Sequence, residues 1–234
     1  MYDGAEELAG AAARAFAEKA ARAIAQRGRF AVAIAGGSTP KATYGALVSD
    51  HAEDVDWPNV HVFFGDERTV PPDHEDSNYR MAREALLERV PVGSVHRMRG
   101  ELPPEEAAAS YEEDLRKFFP EEPPVLDLVM LGIGGDGHTA SLFPETPALE
   151  VTDRLVVANP VLKLGTTRIT LTAPILNAAR KVFFLVAGED KAGALKEILE
   201  GDADPREYPA RLVQPSGGPT WMVDRAAASL LTPA

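Results

Sequence analysis

The chain of 234 residues contains no cysteine. That excludes disulfides, zinc–thiolate centres and thiol nucleophiles. It also lacks any uninterrupted apolar run near the roughly 20 residues a membrane-spanning helix needs. Lysine is scarce, 7 against 17 arginines, and the formal net charge is −12. Such a charge argues against a nucleic-acid binder or a protein that seats on anionic membranes. An anionic small molecule remains admissible, provided a few placed cations meet it. The opening Met1-Tyr2-Asp3-Gly4-Ala5-Glu6-Glu7 is acidic and leads into an alanine-rich segment, which does not read as a secretory signal. A cytoplasmic location is expected. Nothing in the sequence fixes an oligomeric state, and a monomer is the expectation.

The apolar pattern alternates between strand and helix. Leu8, Ala12, Phe16, Ala20 and Ile24 recur at four-residue spacing and predict a helix over Ala5–Arg27. Strands are expected at Phe30–Ala35, Val60–Phe64, Val95–Met98, Leu126–Leu131, Arg154–Ala158, Arg168–Leu171, Lys181–Val186, Arg211–Val213 and Thr220–Val223. Helices are expected at Pro40–Val48, Asn78–Arg89, Pro104–Phe119, after Pro174, at Asp190–Leu199 and at Arg225–Leu231. This alternation predicts an α/β fold, a doubly wound and mostly parallel sheet with helices on both faces. The proline-rich stretches at 71–72, 103–104 and 120–124 read as loops inside a single domain over residues 1–234.

Four strand ends depart from this regularity, and an open α/β sheet gathers such ends along one edge. Gly36-Gly37-Ser38-Thr39-Pro40 follows the first strand. A Ser or Thr cap before proline is an ordinary helix start. The paired glycines add close backbone approach, and the helix terminus offers free N–H groups to an anion. Together they read as a phosphate seat, without the spacing of a Walker loop. Phe63-Phe64-Gly65-Asp66-Glu67-Arg68 reads either as a surface ion pair or as an Asp held at a site beside an Arg that meets an oxyanion. Gly188-Glu189-Asp190-Lys191 places a lysine in a first helical turn, where the macrodipole disfavours a cation unless an anion sits beside it. Arg168 is a further candidate cation at a strand start, with an edge position in solvent as the alternative.

The fourth end is the most informative. Leu128-Val129-Met130-Leu131 runs into Gly132-Ile133-Gly134-Gly135-Asp136-Gly137-His138. The spacing of Gly132, Gly134 and Gly137 suggests a dinucleotide loop, but Pro144 interrupts the segment too soon for the helix such a unit needs. Of five histidines, only His138 lies in a glycine-rich strand-end loop. An imidazole there serves as a general base, with a carboxylate fixing its tautomer; a His that merely bonds the turn is the alternative. Asp73-His74-Glu75-Asp76 lacks ligand spacing and reads as a solvated loop. Neither a metal nor a cofactor is expected.

These motifs, with Ser77-Asn78-Tyr79 and the continuation Thr139-Ala140-Ser141-Leu142-Phe143-Pro144, resemble the 6-phosphogluconolactonase family in order and span nearly the whole chain. The resemblance implies a Rossmann-like fold of the sugar-phosphate isomerase/deaminase type. It implies hydrolysis of 6-phospho-D-glucono-1,5-lactone to 6-phospho-D-gluconate, in the oxidative pentose phosphate pathway. It places the phosphate on Gly36, Gly37, Ser38 and Thr39 with Arg168 and Lys191. It assigns the ester chemistry to His138, with Asp66, Arg68 and Asp136 around it. The related glucosamine-6-phosphate deaminases carry a carboxylate five residues after the His, where this chain has Phe143, and usually an aromatic where it has Arg68. A deaminase-like enzyme and a non-catalytic sugar-phosphate-binding domain stand as the alternative readings.

Overall fold

A computed structural model describes residues 1–120 and 122–232. Its strands are β1 (Phe30–Ile34), β2 (Val60–Phe64), β3 (Asp66–Arg68), β4 (Ser94–Val95), β5 (Leu128–Leu131), β6 (Val156–Val161), β7 (Thr166–Leu171), β8 (Val182–Val186) and β9 (Thr220–Val223). The helices are α1 (Ala5–Arg27), α2 (Ser38–Asp50), α3 (Asn78–Ala82), α4 (Pro104–Phe118), α5 (Ala173–Ala178) and α6 (Ala192–Leu199). Six strands form one parallel sheet in the order β4-β2-β1-β5-β8-β9. β1, β5 and β8 are buried at every position, the pattern of strands covered on both faces. Alternate residues divide between two cores. Phe30, Val32 and Ile34 pack with α1 and α2 on one face. Ala31 and Ala33 share the other with α4, α5 and α6. The chain crosses from one direction of winding to the other between β1 and β5, so the crevice beyond their carboxyl ends is where such a sheet admits a ligand. Among the described residues, no helix is long and apolar enough to cross a membrane.

The expected doubly wound sheet is present, with four corrections. Strands expected at Arg154–Ala158 and Arg168–Leu171 form a hairpin, β6–β7, that pairs antiparallel with β3 in a second, three-stranded sheet. The tight turn Leu162–Leu164, closed by Gly165 at φ 60°, makes an antiparallel return that alternation alone does not reveal. Arg211–Val213 is no strand: Pro209–Leu212 is a 3₁₀ turn, held to the glycine loop by Ala210 N–H donating to Gly137 O at 3.0 Å. Arg225–Leu231 is a series of turns. Only Ala228 reaches back four residues, to Asp224, whereas Ser229 and Leu231 bond three residues back. The helix expected over Asn78–Arg89 is α for five residues and then widens into a π turn over Arg83–Leu87. Elsewhere the boundaries shift by a few residues, and within the expected 120–124 loop Glu121 lies outside the described residues.

Charge as well as packing ties α4 to the segment that leads into β6. Glu112 of α4 is 8 % exposed and accepts from Arg154 Nε at 2.7 Å and Arg116 at 3.0 Å. Burial works to raise its carboxyl, but the two guanidiniums prevail and hold it below its ordinary 4.5. A depressed carboxylate stabilises the fold above its unfolded pKa and loses that contribution as pH falls through the folded value. Glu112→Gln should therefore cost roughly 1.5–3 kcal/mol at neutral pH. In denaturant titrations across pH, the gap to the wild type should narrow steadily below about pH 4.5. A gap that stays constant down to acid pH would contradict this ion pair.

Candidate active site

The carboxyl edge carries a cleft of about 500 Å³ lined by the loops after β1, β2 and β5 and by the β6–β7 hairpin. The glycine loop after β5 forms its floor. His138 Nδ1 lies 2.5 Å from Asp136 Oδ1, and the His138 N–H donates to the same oxygen at 3.2 Å. Asp136 Oδ2 accepts from Lys163 at the hairpin tip. Partial burial works to raise the Asp136 carboxyl, but the hydrogen bonds from His138 and Lys163 outweigh it and hold the group well below the usual carboxylate range. An ionised Asp136 only accepts, so the proton it meets on His138 sits at Nδ1, and in the neutral imidazole the lone pair is then on Nε2. The imidazole stacks on Phe143, with ring centroids 4.1 Å apart and planes at 23°. Lys163 Nζ stands over the Phe143 ring, 4.9 Å from its centroid.

The β2 end supplies the opposite wall. Strand alternation sends Asp66 and Arg68 to the cleft and Glu67 inward, where it is 2 % exposed. Glu67 accepts from the N–H groups of Arg68, Asn78 and Tyr79 at 2.8 Å each, and from Ser77 Oγ at 3.1 Å. Burial outweighs the three backbone donors and raises its carboxyl above the ordinary 4.5. Asp66 accepts from Asn78 Nδ2 at 3.1 Å and from Ser141 Oγ at 2.6 Å. Arg68 donates to the backbone oxygen of Asp76, in the charged loop.

Arg68 of β3 and Arg168 of β7 are direct antiparallel partners. Like charges placed opposite each other destabilise a sheet. Both Nε atoms are buried without a hydrogen-bond partner, an arrangement that calls for an explanation. Burial first, and then the Arg68 charge, lower the pKa of Arg168. Two guanidiniums thus concentrate positive charge on one wall of the cleft.

Gly36 and Gly37 line the same cleft, with Lys191. Ser38 and Thr39 lie one step away. They line a smaller cavity of about 150 Å³ with Gly36, Gly37 and Lys191, over the start of α2. The cap expected from Ser38 or Thr39 is absent: the capping position is Gly37, at φ 104°, and Ser38 already belongs to the helix. The turn needs a left-handed backbone that glycine alone adopts freely, which moves the helix start two residues upstream. Lys191 sits in the 3₁₀ turn before α6 and pairs with the exposed Asp190 at 2.8 Å. The cleft thus gathers Gly36, Gly37, Asp66, Arg68, Asp136, His138, Arg168 and Lys191, and leaves Ser38 and Thr39 in the adjoining pocket. Sequence reasoning did not single out Lys163, Asn78 or Ser141 as site residues. Ser141 lies in the histidine loop and Asn78 follows a Ser cap, but no local pattern marks a lysine in a hairpin turn.

The Glucosamine-6-phosphate isomerases/6-phosphogluconolactonase family model matches residues 3–222. The chain belongs to that family. The 6-phosphogluconolactonase of Synechocystis sp. is 48 % identical over 86 % of this chain and 85 % of its own. The 6-phosphogluconolactonase of Homo sapiens is 42 % identical over 99 % of this chain and 93 % of its own. The solved 6-phosphogluconolactonase of Trypanosoma brucei superposes with a TM-score of 0.87 at 31 % identity, over 99 % of this chain and 97 % of that one. The family resemblance carried by the strand-end motifs thus extends over the whole architecture.

Gly134 lies directly against the His138–Asp136 pair. A methyl group there would stand 2.0 Å from His138 Nδ1 and 2.6 Å from Asp136 Oδ1. Gly134→Ala should therefore part the His138–Asp136 pair while leaving the sheet intact. The low-field Nδ1 proton resonance of His138 should disappear in proton NMR, with the far-UV circular dichroism unchanged. Persistence of that resonance would show that the loop yields without moving the imidazole.

Proposed function

We propose that this protein hydrolyses 6-phospho-D-glucono-1,5-lactone to 6-phospho-D-gluconate, the lactonase step of the oxidative pentose phosphate pathway, on one catalytic domain. The observation that carries the reading is an imidazole fixed at Nδ1 by an ionised Asp136, in a cleft that also holds two facing arginines. A lactone is an activated ester, so no covalent nucleophile is needed. His138 Nε2 takes a proton from water as that water attacks the carbonyl carbon, and returns it to the ring oxygen as the ring opens. Asp136 stabilises the imidazolium formed in between. Arg68 stabilises the oxygen on which negative charge develops. Asp66, fixed by Asn78 and Ser141, retains acceptor capacity for a sugar hydroxyl.

The phosphate serves as a positioning handle. Gly36, Gly37, Ser38 and Thr39 offer the start of α2, and Arg168 and Lys191 add charge. Phe143 supports the lactonase over the deaminase. The position that carries the deaminases' ring-opening carboxylate is here an aromatic face against His138.

His138→Ala should lower kcat by roughly 10²–10⁴-fold with a smaller change in KM. Consumption of freshly generated lactone, corrected for spontaneous opening, measures it, and an unchanged kcat at neutral pH would remove His138 from the chemistry. Loss of one charged phosphate contact costs about 1.5–3 kcal/mol. Lys191→Ala should accordingly raise KM by one to two orders of magnitude for the phosphorylated lactone. Unphosphorylated gluconolactone should be a poor substrate for the wild type, and no poorer for the variant. Equal damage to both substrates would move the phosphate away from Lys191.

A further inference from the structure

Two buried tyrosines stand behind the site without touching it. Tyr44 of α2 and Tyr111 of α4 are 0 % and 1 % exposed and belong to opposite faces of the central sheet. Tyr44 Oη donates to Ala35 O at 2.8 Å and accepts from Ala35 N–H at 3.0 Å. Tyr111 Oη donates to Phe64 O at 3.1 Å and accepts from Phe64 N–H at 2.7 Å. Each hydroxyl thus satisfies both backbone polar groups of one residue at the carboxyl end of a strand.

Those residues are where the ladder runs out. β5 pairs with β1 only at Val32 and Ala33, so no ladder partner reaches Ala35. β4 pairs with β2 only at His61 and Val62, so none reaches Phe64 on that side. A buried peptide without partners is costly, and its hydrogen bonds also fix the direction in which the chain leaves the sheet. Ala35 is followed at once by Gly36 and Gly37; Phe64 is followed by Gly65, Asp66 and Arg68. Burial pushes both phenols above their ordinary range, so both remain donors. Related holds exist at the other two ends: Thr139 Oγ1 donates to Gly132 O at 2.8 Å, and the Asp224 carboxylate accepts from Gly188 N–H at 3.2 Å.

We infer that Tyr44 and Tyr111 are positioning residues with separate tasks: Tyr44 aims the Gly36–Thr39 loop at the phosphate, and Tyr111 aims Asp66 and Arg68 at the reacting ester. The inference rests on the lactonase reading above. It divides the machinery by substrate half, so the two phenylalanine variants should damage different kinetic constants.

The test measures kcat and KM of wild type, Tyr44→Phe and Tyr111→Phe with phosphorylated and unphosphorylated gluconolactone, well below each variant's Tm. Tyr44→Phe should raise KM for the phosphorylated lactone about tenfold, with kcat and turnover of the unphosphorylated lactone within about twofold of wild type. Tyr111→Phe should lower kcat about tenfold on both substrates, with KM within about twofold. Variants that melt earlier yet keep wild-type constants would show tyrosines that only stabilise the fold, and would overturn the inference. So would two variants that shift the same constant. A wild type with no preference for the phosphorylated lactone would instead overturn the reading of the site. Should either variant fail to fold, amide hydrogen exchange in the wild type decides. Inorganic phosphate should slow exchange at Ala35 far more than at Phe64, and equal protection of the two would overturn the assignment.

Discussion

The buried carboxylate of Glu67 is the contact on which the site wall depends. A charge taken out of water is tolerated only when its oxygens are filled with donors, and here three backbone N–H groups and one hydroxyl fill them. Two of those N–H groups belong to the first turn of α3, an arrangement the helix dipole favours. The same bonds therefore tie β3 to the helix and commit the residues on either side of Glu67 to face outward. Asp66 and Arg68 reach the cleft because Glu67 cannot. Asn78 takes part twice, donating its N–H to Glu67 and its side chain to Asp66. It also fills the space above Gly36, where a methyl group would fall 1.9 Å from its Oδ1. One buried carboxyl group thereby sets the spacing between the β1 and β2 loops.

Electrostatics in the cleft run against the character of the chain. A protein of net charge −12 surrounds a pocket whose walls carry Arg68, Arg168, Lys163 and Lys191. The anions that face these cations differ in freedom. Asp136 is engaged on both oxygens, whereas Asp190 is exposed at the surface. Long-range repulsion of an anionic substrate is screened within about 8 Å at physiological salt, so the local cations decide the encounter once a ligand reaches the mouth.

The central sheet was legible because its signal is local. Runs such as Leu128–Leu131 and Val182–Val186 are apolar at every position, and glycines punctuate their ends. The importance of His138 was legible for the same reason. Its partner was not, since Asp66 and Asp136 are equivalent on paper and only the 2.5 Å contact separates them. The second sheet escaped because β3 is three residues long, polar, and paired with a strand a hundred positions later. The facing of Arg68 and Arg168 is a property of that register, and no composition or periodicity encodes it. Lys163 escaped likewise, since its nearness to Asp136 comes from the reach of a hairpin. The misread C-terminal helix shows the converse limit: Arg225–Leu231 has a helical composition, yet its backbone bonds reach mostly three residues back and it folds as successive turns.

The paired arginines carry a further consequence for the life of the molecule. Two facing guanidiniums with unpartnered Nε atoms set up a repulsion that the proposed anionic substrate would relieve. By mass action, a ligand at a hundred times its dissociation constant adds about 2.7 kcal/mol to the folded state, and here part of that sum is relief of a built-in cost. The enzyme at work is thus sturdier than the enzyme at rest.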